Sequence, residues 1–294
     1  QEALLQARQI LANLVLVMAD HAAALLVDGR GQPSRPYAAG RAGAIGTLLV
    51  IQLEHRPLGR EKTRQGPRLG GLVGQAQTIE RAADRGAREV AVFTAASEAF
   101  NRRNINASID ESIERFVPIL ERARNDGVKV RGYVSTVLGC PYQGEVDVRD
   151  VVRVAKRIHA LGCYEVSLGD TIGIGTPAGA RAMLRAVADE VPMGALAVHF
   201  HDTRGQALAN VFACVEDGVR VVDASVAGLG GCPYANGATG NVASEDVVYM
   251  LHGMGFATGI DLGALVATGQ WISAELGRDN GAKLGRALAP IACA

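Results

Sequence analysis

Cysteine is scarce in this chain, with five among 294 residues, an odd number. That is no disulfide framework, and reduced thiols in a cytoplasmic setting are the expectation. An excess of one charge is missing too. Thirty basic and thirty acidic side chains cancel to a formal net charge of zero, with a pI near 7.2. Nucleic acid and anionic membrane surfaces usually need a basic patch, so neither is expected as a partner. No apolar run is long enough to span a bilayer. Ile10 to Met18 is the most apolar stretch near the start, and Asp20 and His21 follow it closely. Glu2 and Arg8 precede it without a cationic segment, which argues against a secretory signal. The Gly-rich turn G-x-G-x-x-G that usually follows strand one of a dinucleotide-binding sheet is not found.

What remains is a globular composition, 48% hydrophobic and 20% charged, in a chain long enough for a large core. Thirty-six glycines cluster at the turns between apolar runs. Residues 1 to about 80 are the least patterned. A helix is plausible to about Val27, and Arg56 to Arg68 reads as a basic loop. Thr47 to Leu53 is the one convincing strand there. From Ile79 the pattern sharpens, and Ile79 to Gly86 looks like the end of a helix. Strands are expected at Glu89–Phe93, Val128–Val137, Tyr164–Leu168, Leu196–His201 and Val219–Val226. Helices are expected from Ser108 (a capping box with Glu111), at Val148–Leu161 with Asp147 or Asp150 near its start and Gly162 closing it, and at Pro177–Val191. Gln206–Val215, Ser244–Met254 and Leu262–Leu276 complete the set. Five strand–helix units of about 30 residues imply a parallel sheet with helical crossovers. The first 80 residues have room for about three more, with weak candidates at Leu14–Val17 and Leu69–Val73. The expected fold is therefore α/β, a single (β/α)8 TIM barrel domain over residues 1–294 with a C-terminal helical extension. An open doubly wound sheet is the alternative.

In Ala197-Val198-His199-Phe200-His201-Asp202-Thr203 two histidines stand two apart at a strand end, so they share a face. They read equally as a chelating pair for a metal or as hydrogen-bonded core histidines. Polar residues end the other strands at the same side: Ser97 and Glu98, Ser135 and Thr136, Asp170 and Thr171. Gly228 to Tyr234, then Asn236 and Asn241, follow the fifth strand. Any one of these could be a cap or turn residue, and Asp170 alone would read as a turn former. Their repetition at one end marks the active face of a barrel.

Several segments resemble the 3-hydroxy-3-methylglutaryl-CoA lyase family. They are Ala95-Ala96-Ser97-Glu98-Ala99-Phe100 with Asn104-Ile105-Asn106, Arg131 to Ser135, Gly139-Cys140-Pro141-Tyr142 and Ser167 to Gly173. His199 to Thr203, and Gly228 to Ala235 through Gly240-Asn241-Val242, complete them. The resemblance covers about residues 79–288. The His-x-His-Asp strand is shared with related aldolases and Claisen-type synthases, whereas the loop bearing Cys232 is much more specific to the lyase.

The resemblance implies a metal-dependent carbon–carbon lyase that cleaves the CoA thioester to acetyl-CoA and acetoacetate, a step of leucine degradation and ketone-body metabolism. It implies a divalent cation, Mg²⁺ or Mn²⁺, with His199, His201 and Asn241 matching three ligands. Cys232 matches the catalytic cysteine, Asp170 matches a polar residue near the substrate hydroxyl, and a homodimer is implied. Cys140 and Cys163 read as structural. Thr136 stands where such lyases often carry a cysteine. The family's first-strand segment Arg-Asp-Gly-Leu-Gln, with an enolate-stabilising Arg and a fourth, carboxylate ligand, has no match in residues 1–78. Asp28-Gly29 there follows Val27 rather than Arg. A reading-frame shift confined to this segment, or a divergent chain that has lost these partners, would each explain it. The abrupt onset near Ile79 favours the first, and the coding DNA read in all frames tests it. Competing readings are a related metal-dependent aldolase or acyl-CoA synthase, and a non-catalytic barrel.

Overall fold

Five apolar runs become the parallel strands of one sheet and are buried along most of their length. In a computed structural model of the chain the described residues are 48–52, 54–55, 71–72, 88–230 and 240–289. The central strands are β4 (Glu89–Ala95), β5 (Lys129–Ser135), β6 (Glu165–Asp170), β7 (Leu196–Phe200) and β8 (Val221–Ser225). They pair side by side, in parallel, in the order of the chain. A short strand, β3 (Gly71–Leu72), pairs in parallel with β4 inside the weak candidate Leu69–Val73. That sequential parallel order, with a helix between successive strands, is the wall of a TIM barrel.

The other early strands behave differently. The strand expected at Thr47–Leu53 is present as β1 (Leu48–Gln52), but it runs antiparallel to β8, from Leu48 opposite Ser225 to Gln52 opposite Val221. A barrel strand would be parallel. Apolar alternation specifies which face a strand buries and not its direction, and an antiparallel neighbour satisfies β8's edge without a crossover helix. Glu54–His55 (β2) and Phe256–Ala257 (β9) form a separate two-stranded antiparallel pair. The helix proposed to Val27, the one ending at Gly86, the Leu14–Val17 candidate and the Arg56–Arg68 loop lie outside the described residues.

The helices follow their caps. α1 (Glu98–Ile105) begins at Ser97, whose Oγ accepts from the Phe100 amide at 3.1 Å. α2 (Ile109–Asn125) has the full capping box: Glu111 N donates to Ser108 Oγ at 3.0 Å, and Ser108 N donates to Glu111 Oε2 at 2.6 Å. α3 (Val148–Leu161) starts at Asp147 and stops at Gly162, whose φ of 119° suits a residue without Cβ. Its buried residues Val151, Val154, Ala155 and Ile158 fall at the 3, 4 and 7 spacing of one helix face. α4 (Pro177–Ala188), α5 (Ala207–Glu216), α6 (Ser244–Gly253), α7 (Leu262–Glu275) and α8 (Lys283–Ala287) complete the set. One apolar core runs through the sheet and its covering helices, with Val166, Leu168, Val198, Phe200 and Val222 fully buried at its centre.

Candidate active site

The two imidazoles meet at the C-terminal end of β7. Their ring centroids are 5.5 Å apart, with the planes inclined at 40°. The His199 side chain keeps 19% of its surface and His201 only 7%, while Leu196 to Val198 and Phe200 between and before them are buried. Burial first, and the neighbouring His199 second, push the His201 imidazole down to about 3, so it is neutral at physiological pH. Its Nδ1 is buried and has no hydrogen-bond partner.

Asn241 arrives beside them by a backbone route. Asp202 N donates to Gly240 O, Val242 N to Phe200 O and Ser225 N to Val242 O, each at 3.0 Å, wedging this segment between the ends of β7 and β8. His201 and Asn241 face each other in an antiparallel bridge. Gly240 has φ of 111°, and a Cβ there would lie 2.4 Å from Gly228 O, so only glycine fits the wedge. The Asn241 amide donates through Nδ2 to Leu229 O at 3.0 Å, which leaves Oδ1 as its acceptor. That Oδ1 is buried and unpaired. Two buried polar atoms without a partner, on residues paired across one backbone bridge, are costly unless a ligand satisfies them. An imidazole nitrogen and an amide oxygen suit a divalent cation. Among the described residues no carboxylate completes the set with them.

Behind the imidazoles lies a charged cluster that the sequence reading did not single out. Arg131 on β5, 1% exposed, donates to Glu165 Oε1 at 2.5 Å, to Asp223 Oδ2 at 2.9 Å and to the Tyr133 hydroxyl. Asp223 Oδ2 also accepts from Ser167 Oγ at 2.8 Å and contacts His199 Nδ1 at 3.3 Å. Burial alone would raise the Asp223 carboxyl. The Arg131 charge and the hydrogen bonds from His199 and Ser167 outweigh it and hold the group below its ordinary range. A lone charge in Val-Val-Asp-Ala-Ser or Val-Arg-Gly-Tyr is the signal that could have found these residues.

Asp170 ends β6, fully buried, with Oδ2 accepting from Gly175 N at 2.8 Å and Oδ1 from Ile174 N at 3.2 Å. Its carboxylate thus holds its own turn, and its backbone oxygen accepts from His201 N at 3.3 Å. Burial raises its carboxyl, and the Gly175 and Ile174 amides work against that. Ser97 and Thr136 also serve local structure, the first as a helix cap and the second at a left-handed φ of 61° with its amide on Thr171 Oγ1. Cys140 packs with Ala95 and Phe100, and Ser97 Oγ donates to its sulfur at 3.0 Å. Cys163 is buried core, as the sequence suggests.

The Asp170 turn also abuts the imidazoles. Gly173 has φ of 58°, and a Cβ there would lie 2.6 Å from His201 O and 2.9 Å from Thr203 N. Gly173→Ala should therefore cost about 1–3 kcal/mol of stability, since strain and a backbone clash add. Turnover should fall beyond what stability explains, because the displaced oxygen is that of His201. Thermal melts beside steady-state rates check both effects, and an unchanged melt would contradict the close approach.

Cys232 lies outside the described residues. The described feet of its loop, Gly230 and Gly240, stand next to Asn241 and Asp202. A tight turn at Val226–Gly228 leads into it, with Ala227 at φ of 54°. Glu245, wholly buried on α6, holds that turn by accepting from Ala227 N at 3.0 Å with both carboxylate oxygens. Gly281 N donates to Ala227 O at 3.1 Å from the other side. Burial raises the Glu245 carboxyl to about 7. A carboxyl raised by folding favours the protonated fold. Its contribution is full below its ordinary value and is lost as pH climbs to about 7. Glu245→Gln keeps an acceptor for Ala227 and cannot ionise. Relative to this variant, the parent chain should lose about 3 kcal/mol across that window. Denaturant melts at several pH values would read it, and parallel curves would refute the raised carboxyl.

A parallel barrel wall with imidazole and amide donors at the C-terminal ends of its strands defines an enzyme of the TIM-barrel class. The chain belongs to the HMGL-like family, whose model matches residues 68–272. It is 58% identical over 227 residues to a 3-hydroxy-3-isohexenylglutaryl-CoA/hydroxy-methylglutaryl-CoA lyase of Pseudomonas aeruginosa, covering 77% of this chain and 76% of the relative. It is 50% identical to the hydroxymethylglutaryl-CoA lyase of Pseudomonas mevalonii, covering 89% of this chain and 94% of the relative. That second match reaches into residues 1–78, further toward the N-terminus than the motifs read from the sequence. The crystal structure of hydroxymethylglutaryl-CoA lyase from Pseudomonas aeruginosa superposes with a TM-score of 0.74 at 58% identity, over 77% of this chain and 76% of that one. The fold is thus the barrel of these lyases. No helix among the described residues is long and apolar enough to cross a membrane.

Proposed function

We propose that this chain cleaves 3-hydroxy-3-methylglutaryl-CoA to acetyl-CoA and acetoacetate at the His199, His201 and Asn241 cluster, with a divalent cation, Mg²⁺ or Mn²⁺, held there. The observation that carries the reading is a pair of buried, unpaired atoms, His201 Nδ1 and Asn241 Oδ1, on residues that face each other across a backbone bridge next to His199. A bound cation would polarise the substrate's oxygens. The rest falls to the chain. Asp170 takes the proton of the tertiary hydroxyl or orients the group that does, and the carbon–carbon bond breaks with its electron pair on the acetyl-CoA carbon. The Cys232 thiol gives that carbon a proton, so substrate and products balance without water.

Membership of the family supports one barrel domain acting as a homodimer. Zero net charge and the buried free thiols Cys140, Cys163 and Cys214 support a cytoplasmic setting without nucleic acid or membrane partners. Incubating the metal-loaded chain with 3-hydroxy-3-methylglutaryl-CoA should give acetyl-CoA and acetoacetate in equal amounts. Acyl-CoA condensation without cleavage would move the chain to the synthases and overturn the proposal.

A further inference from the structure

We infer that Asp223 is a positioning residue for His199, holding its imidazole with the proton on Nδ1 and the lone pair on Nε2 left for a cation. The inference rests on the reading of His199 as a metal ligand. It adds a residue that acts only through that ligand.

Sheet geometry creates the pair. β7 and β8 run in parallel with His199 opposite Asp223 in the register, so adjacent strands present the two side chains on one face. The chemistry of the oxygen decides the direction of the bond. Asp223 Oδ2 already receives Arg131 Nη1 at 2.9 Å and Ser167 Oγ at 2.8 Å. A carboxylate paired with guanidinium has lone pairs and no proton to give, so His199 Nδ1, at 3.3 Å, must be the donor. In a neutral ring Nε2 then carries the free lone pair.

The ring is also walled in. The Tyr133 ring meets it edge-on, with centroids 6.1 Å apart, and the Tyr133 hydroxyl accepts from the same guanidinium that anchors Asp223. Arg131 is itself fixed at its other end by Glu165 at 2.5 Å. Four strands, β5 to β8, thus contribute to the direction in which one imidazole points. In His201 the ring atom without a protein partner is Nδ1 instead. The two histidines are therefore unequal. Partners of this kind typically change metal affinity by about 10–100-fold.

Two measurements test this on the full chain. In the metal-free protein, with histidine labelled in the ring nitrogens and at mildly alkaline pH, nitrogen NMR should show His199 as the Nδ1–H tautomer. Loss of that signal in His199→Ala assigns it. The Nε2–H tautomer would overturn the inference, and no substitution of Asp223 is needed to see it. Second, Mn²⁺ binding followed by electron paramagnetic resonance should weaken about 10–100-fold in Asp223→Asn, with the circular dichroism spectrum unchanged. Asp223→Glu should recover part of the loss. If His199→Ala binds Mn²⁺ as tightly as the parent chain, the metal-site reading itself fails. If His199→Ala loses binding while Asp223→Asn keeps it, the site stands and the role of Asp223 falls. Should Asp223→Asn not fold, the tautomer in the parent chain decides alone.

Discussion

Replacing His201 by Ala is expected to reduce cleavage on the order of a thousandfold or more while leaving the barrel folded. The rate loss follows from removing a donor to a cation that stabilises several kcal/mol of developing charge. The stability expectation comes from this structure. His201 is buried but its Nδ1 has no partner, so truncation removes an unsatisfied polar atom rather than a hydrogen bond. A melt within about 1 kcal/mol of the parent is expected. A hydrogen-bonded core histidine would behave in the opposite way, with stability lost and activity per folded molecule retained. Rates and melts on the same preparation separate the two, and near-parental turnover would remove His201 from the site.

Cys232→Ser is expected to lose several orders of magnitude in kcat with little change in KM. A hydroxyl is a far weaker acid than a thiol, so a proton donor to the enolate is lost only in the transition state. The other cysteines supply the control. Burial pushes the Cys163 and Cys214 thiols up to about 12, which leaves them inert toward proton transfer and thiol reagents near neutrality. Serine at either position should act only through stability. Thiol reagents should inactivate the parent chain, bound substrate should protect it, and Cys232→Ser should be insensitive. Matched losses of binding and turnover would make Cys232 a packing residue.

Much of the fold was legible because the chain punctuates its elements. α3 runs over the residues expected from Gly162 and a clean apolar face, and of the two candidate start residues Asp147 is the cap. α4 stops at Ala188, short of the expected Val191, because buried Val191 continues the apolar spacing past the helix end. α1 escaped notice since Glu-Ala-Phe-Asn-Arg-Arg-Asn-Ile buries only Phe100 and Asn101 and has no apolar stripe. The direction of β1 was not legible because residue alternation is the same in parallel and antiparallel strands.

The candidate site divides along the same line. His199 and His201 are local in sequence, and their shared face follows from strand period alone. Asn241 came from family resemblance, and its approach depends on Gly240 and on backbone bonds to β7 and β8 that no local pattern encodes. A lone charge in an apolar strand marks Arg131 and Asp223 singly, but their grouping with Glu165 is not encoded locally. Its members are 34 and 92 positions apart and meet only when the strands are laid side by side.

The most direct test of the account is turnover of 3-hydroxy-3-methylglutaryl-CoA by the chain stripped of metal, before and after Mg²⁺ or Mn²⁺ is returned. The account predicts negligible cleavage in the stripped protein, and equal amounts of acetyl-CoA and acetoacetate once either cation is added. It also predicts no recovery in His199→Ala or His201→Ala. Full cleavage by the stripped chain, or recovery in either histidine variant equal to the parent, would contradict it.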